Sequence, residues 1–245
     1  MKKIAWILAA ALLAGTAAPA QTIAPFKDGD RVVYLGNSIT DGGHYHSYIW
    51  LYYMTRFPEM NLRMYNAGIG GETAGGMFKR LDGDVFSKRP TVLTVTFGMN
   101  DTGYMEYNGD NPEAFGEARY KECFENYKKM EKRLEGLDGV RVVMIGSSPY
   151  DETARIEGNT PLRGKNAVMQ RVVEFQKASA DAHGWEFIDY NAPLVEVGRQ
   201  QQAVDPSFTL TGGDRVHPDN DGHMVMAYLL SLIHISEPTR PEPIS

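Results

Sequence analysis

Apolar positions along the chain alternate between two patterns: short β-branched runs, and longer stretches spaced for one helical face. Arg31–Leu35, Leu62–Asn66, Val92–Phe97, Arg141–Gly146 and Trp185–Asp189 read as strands. Val92–Phe97 is the strongest of these, with Val, Leu, Val and Phe interleaved with threonine. Tyr45–Thr55, Thr73–Leu81, Phe115–Leu137 and Leu162–His183 carry helical spacing, the last stopped by Gly184, a C-cap signal. Five βα repeats predict a parallel sheet with helices on both faces, joined by right-handed crossovers. The expected fold is a three-layer α/β/α sandwich with a five-stranded parallel sheet.

Both ends depart from that pattern. Met1-Lys2-Lys3 is a cationic start, Ile4 to Ala14 is almost wholly apolar, and Ala18-Pro19-Ala20 has the small-x-small form of a signal-peptidase site. Residues 1–20 are therefore expected to be a signal peptide cut before Gln21, with a secreted or periplasmic bacterial product. The apolar stretch is shorter than the ~20 residues a membrane span needs. After Leu230 an amphipathic helical pattern runs into Pro238, Pro241 and Pro243, which suit neither helix nor packed strand. The tail also resembles translated sequencing-adapter read-through. Residues 231–245 are expected to be non-native and the chain truncated, leaving one domain over 21–230.

The 245 residues are 42% hydrophobic and 23% charged, an ordinary globular balance for a single domain. A net charge of −6 speaks against a nucleic-acid partner, which needs a basic face. Cys123 is the one cysteine, so no intramolecular disulfide can form. It lies in a charged helical stretch and is expected to be a half-buried helix residue.

Chemistry concentrates where the strands end. Val32-Val33-Tyr34-Leu35 stops abruptly at Gly36-Asn37-Ser38, which places a serine at the carboxyl edge of a strand, where open α/β sheets put their sites. The local alternative for Ser38 is a helix N-cap. Asp214 and His217, about 180 residues later, put a carboxylate and an imidazole on one turn. A serine hydroxyl needs an adjacent base to become a nucleophile, and that base needs an orienting carboxylate. Two Gly/Asn loops, Asn66 to Thr73 and Gly98-Met99-Asn100-Asp101, lie between them and could supply an oxyanion site. The conjunction points to a serine hydrolase.

These four blocks, in this order, resemble the SGNH (GDSL-type) hydrolase superfamily over roughly residues 30 to 230. Asn37 stands where an aspartate is commoner in that family. The resemblance implies a flavodoxin-like sheet, with Ser38 as nucleophile, His217 as general base and Asp214 as its orienting partner. It also implies an oxyanion hole made by the Ser38 N–H, the Gly71 N–H and the Asn100 amide, with neighbouring Gly70 as the alternative to Gly71. No cofactor or metal is implied. His44 and His46 share no helical face and have no Cys or Glu cluster beside them, so they are expected at the substrate groove or the helix start. Tyr45, Tyr48, Trp50, Tyr52 and Tyr53 make an aromatic-rich helix, with core packing as the default and a sugar-stacking platform open to its exposed members.

The function expected is ester hydrolysis through an acyl-serine. Export and a groove edged by aromatic and polar residues favour deacetylation of a carbohydrate, small or polymeric. The alternatives are a lipid-acting esterase or lysophospholipase and, in a different class, a catalytically silent carbohydrate-binding module. A silent module would be expected to lack Ser38 or His217. No nucleic-acid partner and no membrane insertion after signal cleavage are expected.

Overall fold

The computed structural model describes residues 23–231; the expected signal peptide and the tail beyond Ser231 lie outside the described residues. Five strands form one sheet: β1 (Arg31–Gly36), β2 (Arg63–Gly68), β3 (Val92–Phe97), β4 (Arg141–Gly146) and β5 (Glu186–Asp189). Their order is β2-β1-β3-β4-β5, and every adjacent pair is parallel.

Side chains of successive strand residues point to opposite faces, and β1 shows what that does. Val32 and Tyr34 join one buried cluster with Ile39, Tyr45 and Ile49, while Val33 and Leu35 join another with Met77, Leu81, Tyr127 and Met130. One face is covered by α1 (Ser38–Asp41), α2 (His44–Arg56), α6 (Asn191–Gln202) and α7 (Asn220–Ser231). The other is covered by α3 (Ala74–Arg80), α4 (Pro112–Leu134) and α5 (Lys165–His183). The result is the expected three-layer sandwich.

The five predicted strands all form, and the boundaries that move do so for local reasons. α4 begins at Pro112, earlier than the charged periodicity suggests, because Pro suits the first helical turn and the Asn111 side chain caps it. α5 begins at Lys165, after Gly164 turns with φ 89°. α6 has no counterpart in the sequence reading, since Pro193 and Gly198 interrupt the helical pattern of its segment. Cys123 corrects another expectation. It is fully buried on the inner face of α4, at 2% exposure, and burial pushes its thiol well above the usual range.

β1 lies between β2 and β3, so the chain winds away from it in both directions. The crevice this leaves at the strands' carboxyl ends is where sheets of this order hold their ligands. Ser38 follows directly at that point.

Candidate active site

The Ser38 turn is built on backbone contact. Asn37 is buried, and its Oδ1 accepts the Ile39 N–H at 3.0 Å, so Asn37 caps α1 and Ser38 takes the first helical position. That answers the local alternative for Ser38: the capping side chain is its neighbour's. The Ser38 N–H, at the start of a helix, has no partner within that helix. Gly36 and Gly68, paired in register at the ends of β1 and β2, let the turn rest on the sheet. A Cβ at Gly36 would lie 2.1 Å from Thr40 Oγ1, and one at Gly68 would lie 2.2 Å from the Asp41 backbone nitrogen.

The loop after α6 brings His217 to this serine. His217 Nε2 is 2.8 Å from Ser38 Oγ, and His217 Nδ1 is 2.6 Å from Asp214 Oδ2. A carboxylate only accepts, so the Nδ1 proton points at Asp214 and Nε2 is left to accept from the Ser38 hydroxyl. Asp214 Oδ1 meanwhile accepts the backbone N–H groups of Val216 (2.9 Å) and His217 (3.0 Å). Burial works to raise the Asp214 pKa, but the His217 ring and these two N–H groups outweigh it and hold it below the usual carboxylate range. Both side chains stay open to solvent, at 49% exposure for His217 and 53% for Asp214.

The third element comes from the loops after β2 and β3. Gly71 has φ 75° in the turn Ile69–Glu72, closed by Glu72 N–H to Ile69 O, and a Cβ there would meet nothing within 4 Å. Glycine is required at 71 by the left-handed backbone. The Asn100 amide is fixed at both ends: Tyr104 Oη donates to its Oδ1 at 2.7 Å, and its Nδ2 donates to the Glu72 carbonyl at 2.9 Å. One Nδ2–H remains for a developing oxyanion. The buried Asp101 carboxylate accepts from Ala74 N–H (2.8 Å) and Gly98 N–H (2.9 Å), tying the two loops together. Arg80 pairs with Glu72 and donates to the Gly36 carbonyl, which joins the same loops to the Ser38 turn.

Residues 34–225 match the model of the GDSL-like lipase/acylhydrolase family. The chain belongs to that family. It is similar to an acetylxylan esterase of Geobacillus stearothermophilus, 27% identical over 216 residues that make up 81% of this chain and 91% of that one. The solved structure of a gut microbial diltiazem-metabolizing enzyme superposes with a TM-score of 0.85 at 64% identity, over 86% of this chain and 48% of that one. The present chain thus spans about half the length of that enzyme. Axe2, an acetylxylan esterase from Geobacillus stearothermophilus, superposes with a TM-score of 0.67 at 19% identity, over 88% and 98% of the two chains, which shows the shared fold. Axe2 has been solved as catalytic mutants at a serine, an aspartate and a histidine, with the aspartate three residues before the histidine.

In this family member two basic residues that the sequence reading passed over sit behind the loops. Arg215, between the aspartate and the histidine, is 1% exposed and has φ 67°. Its guanidinium donates to the carbonyls of Asp151 (3.0 Å), Ala154 (2.9 Å) and Asn159 (2.6 Å) and to Asn159 Oδ1 (3.1 Å). Lys165, fully buried, is the other. The histidines predicted for the groove divide. His44 is exposed and stacks on His223 at 4.9 Å. His46 is a core residue, stacked on Tyr34 at 4.8 Å with Nε2 on the Thr40 carbonyl. Of the aromatic helix, Tyr45 and Tyr53 are buried, and Trp50 is 47% exposed.

Proposed function

We propose that this protein is a serine esterase that removes acetyl groups from a carbohydrate through an acyl-serine on Ser38. What carries the reading is the unbroken chain Ser38 Oγ, His217 Nε2, His217 Nδ1, Asp214 Oδ2, at 2.8 Å and 2.6 Å. Ser38 Oγ attacks the ester carbonyl carbon as its proton passes to His217 Nε2. The carbonyl oxygen becomes an oxyanion, met by the Ser38 N–H, the Gly71 N–H and the remaining Asn100 Nδ2–H. His217 then returns the proton to the alkoxide oxygen, the C–O bond breaks and the alcohol leaves. Water repeats the sequence on the acyl-serine and releases the acid, with Asp214 stabilising the imidazolium each time.

The choice of an acetylated carbohydrate is supported by the likeness to an acetylxylan esterase over 91% of its length. Export is supported by the cationic start and the Ala18-Pro19-Ala20 site. Among the described residues, no helix is long and apolar enough to cross a membrane.

The test is p-nitrophenyl acetate hydrolysis by the wild type beside Ser38→Ala, followed by acetylated xylo-oligosaccharide against long-chain esters. Ser38→Ala is expected to lower kcat on the order of 10⁶-fold, the scale of nucleophile loss in a triad enzyme. A folded mutant that keeps wild-type turnover would overturn the mechanism, and a preference for long-chain esters would move the substrate to lipid.

A further inference from the structure

The Asn100 amide can help an oxyanion only if its Nδ2, and not its Oδ1, faces the reacting carbon. An asparagine amide can turn end for end, so something must fix which end is which. The Glu72 carbonyl can only accept, so it selects Nδ2, and the Tyr104 hydroxyl, donating to Oδ1, holds the other end of the amide in that orientation. Burial first, then the nearby Asp214 and Asp101 carboxylates, push the Tyr104 phenol up to about 12, so its hydroxyl keeps its proton well into the alkaline range.

Tyr104 in turn is set from behind by Lys165, the first residue of α5. Lys165 Nζ donates to the carbonyls of Met99 (2.7 Å) and Gly103 (2.5 Å) and to Thr102 Oγ1 (2.8 Å). It lies 4.1 Å from the centroid of the Tyr104 ring. These contacts embrace Asn100 on both sides in sequence. Burying an amine is costly, and a leucine or methionine would fill the space without that cost. The head group is spent on the loop that carries Asn100 and on the ring that orients its amide.

We propose that Lys165 and Tyr104 are positioning residues for the oxyanion amide, Lys165 by fixing the 99–103 loop and the Tyr104 ring, Tyr104 by fixing the amide's orientation. The proposal rests on the acyl-serine reading above. Neither side chain touches the reacting atoms; both act through Asn100.

The experiment measures kcat and KM for p-nitrophenyl acetate in the full chain. Tyr104→Phe and Lys165→Met are each made in the wild type and in an Asn100→Ala background, with thermal melts alongside. Loss of one orienting hydrogen bond is expected to lower kcat roughly tenfold with KM held within about twofold. In the Asn100→Ala background, itself ~10²–10³-fold slower, the same substitutions are expected to change kcat by less than about twofold. A general weakening of the fold would lower activity equally in both backgrounds, and that result would overturn the proposal, as would full kcat in Tyr104→Phe. Tyr104→Phe keeps the ring over Lys165, so it decides the matter even where Lys165→Met fails to fold. A wild type without Ser38-dependent turnover would sink the acyl-serine reading and this proposal together; Ser38-dependent turnover with equal losses in both backgrounds would sink this proposal alone.

Discussion

Two buried basic residues hold the two halves of the site, and they do it with different chemistry. Lys165 anchors the loop that carries Asn100, and Arg215 anchors the loop that carries Asp214 and His217. Both side chains are essentially inaccessible, and both donate to uncharged oxygens of loops far away in sequence. A lysine amine can give up its proton when buried, whereas a guanidinium keeps its charge and its planar fork of donors at any pH of interest. The oxyanion half lies on the sheet, supported by strand ends and the Asp101 carboxylate as well as by its lysine. The base half is a loop with exposed catalytic side chains, and a fixed cation serves it better than a titratable one.

The sharpest way to separate chemistry from anchoring on the base side is Asp214→Asn. It keeps Arg215 and the backbone in place but removes the acceptor that selects the His217 tautomer. It is expected to lower kcat by ~10⁴-fold with an unchanged melting temperature. A loss under about a hundredfold would show that His217 does not depend on that partner.

Arg215→Met breaks the anchor and leaves the catalytic groups intact. The carbonyls of Asp151, Ala154 and Asn159 lose their donor, at a cost of roughly 1–3 kcal/mol for each buried acceptor left unpaired. A destabilisation of about 3 kcal/mol by denaturant titration is expected, together with a drop in turnover far smaller than that of Asp214→Asn. Unchanged stability would remove Arg215 from the comparison.

The smallest effect is also the one that distinguishes lysine from arginine. Burial, against the pull of Asp101, lowers the Lys165 amine to about 7. Between that value and the usual lysine pKa near 10.4 the unfolded chain holds a proton that the folded chain has released. The unfolded state binds more protons there, so stability rises with pH across the window, and below pH 7 the full cost of burying the ammonium is present. From pH 7 to pH 9 the denaturation midpoint of the wild type is expected to rise relative to Lys165→Met. A constant difference across that range would show that Lys165 titrates normally.

How much of this could be read from the sequence depended on how local each signal was. The strand ends announce themselves, because β-branched runs stop at glycine or asparagine within one or two residues. Ser38 and Asn100 are legible on that ground, and Asp214 and His217, well beyond the last strand, by the carboxylate and imidazole three positions apart. Gly71 was legible as a residue type, and its left-handed turn gives the physical reason. Lys165 and Arg215 were not legible. Their partners are mostly backbone carbonyls supplied by loops 56 to 66 residues away, which leave little residue-type pattern. α6 was missed because a proline and a glycine fall inside it, and its helix is held by packing of Leu194 into the core.

The open base side has one more consequence. About half of the His217 side chain faces bulk solvent, so an acyl group on Ser38, as proposed above, would meet whatever hydroxyl-bearing molecules the medium contains. Water is then the expected acceptor, by its abundance. On the acyl-serine reading proposed above, a concentrated alcohol or sugar solution is expected to divert part of the acyl group into a new ester, the products dividing according to the concentrations of the competing acceptors.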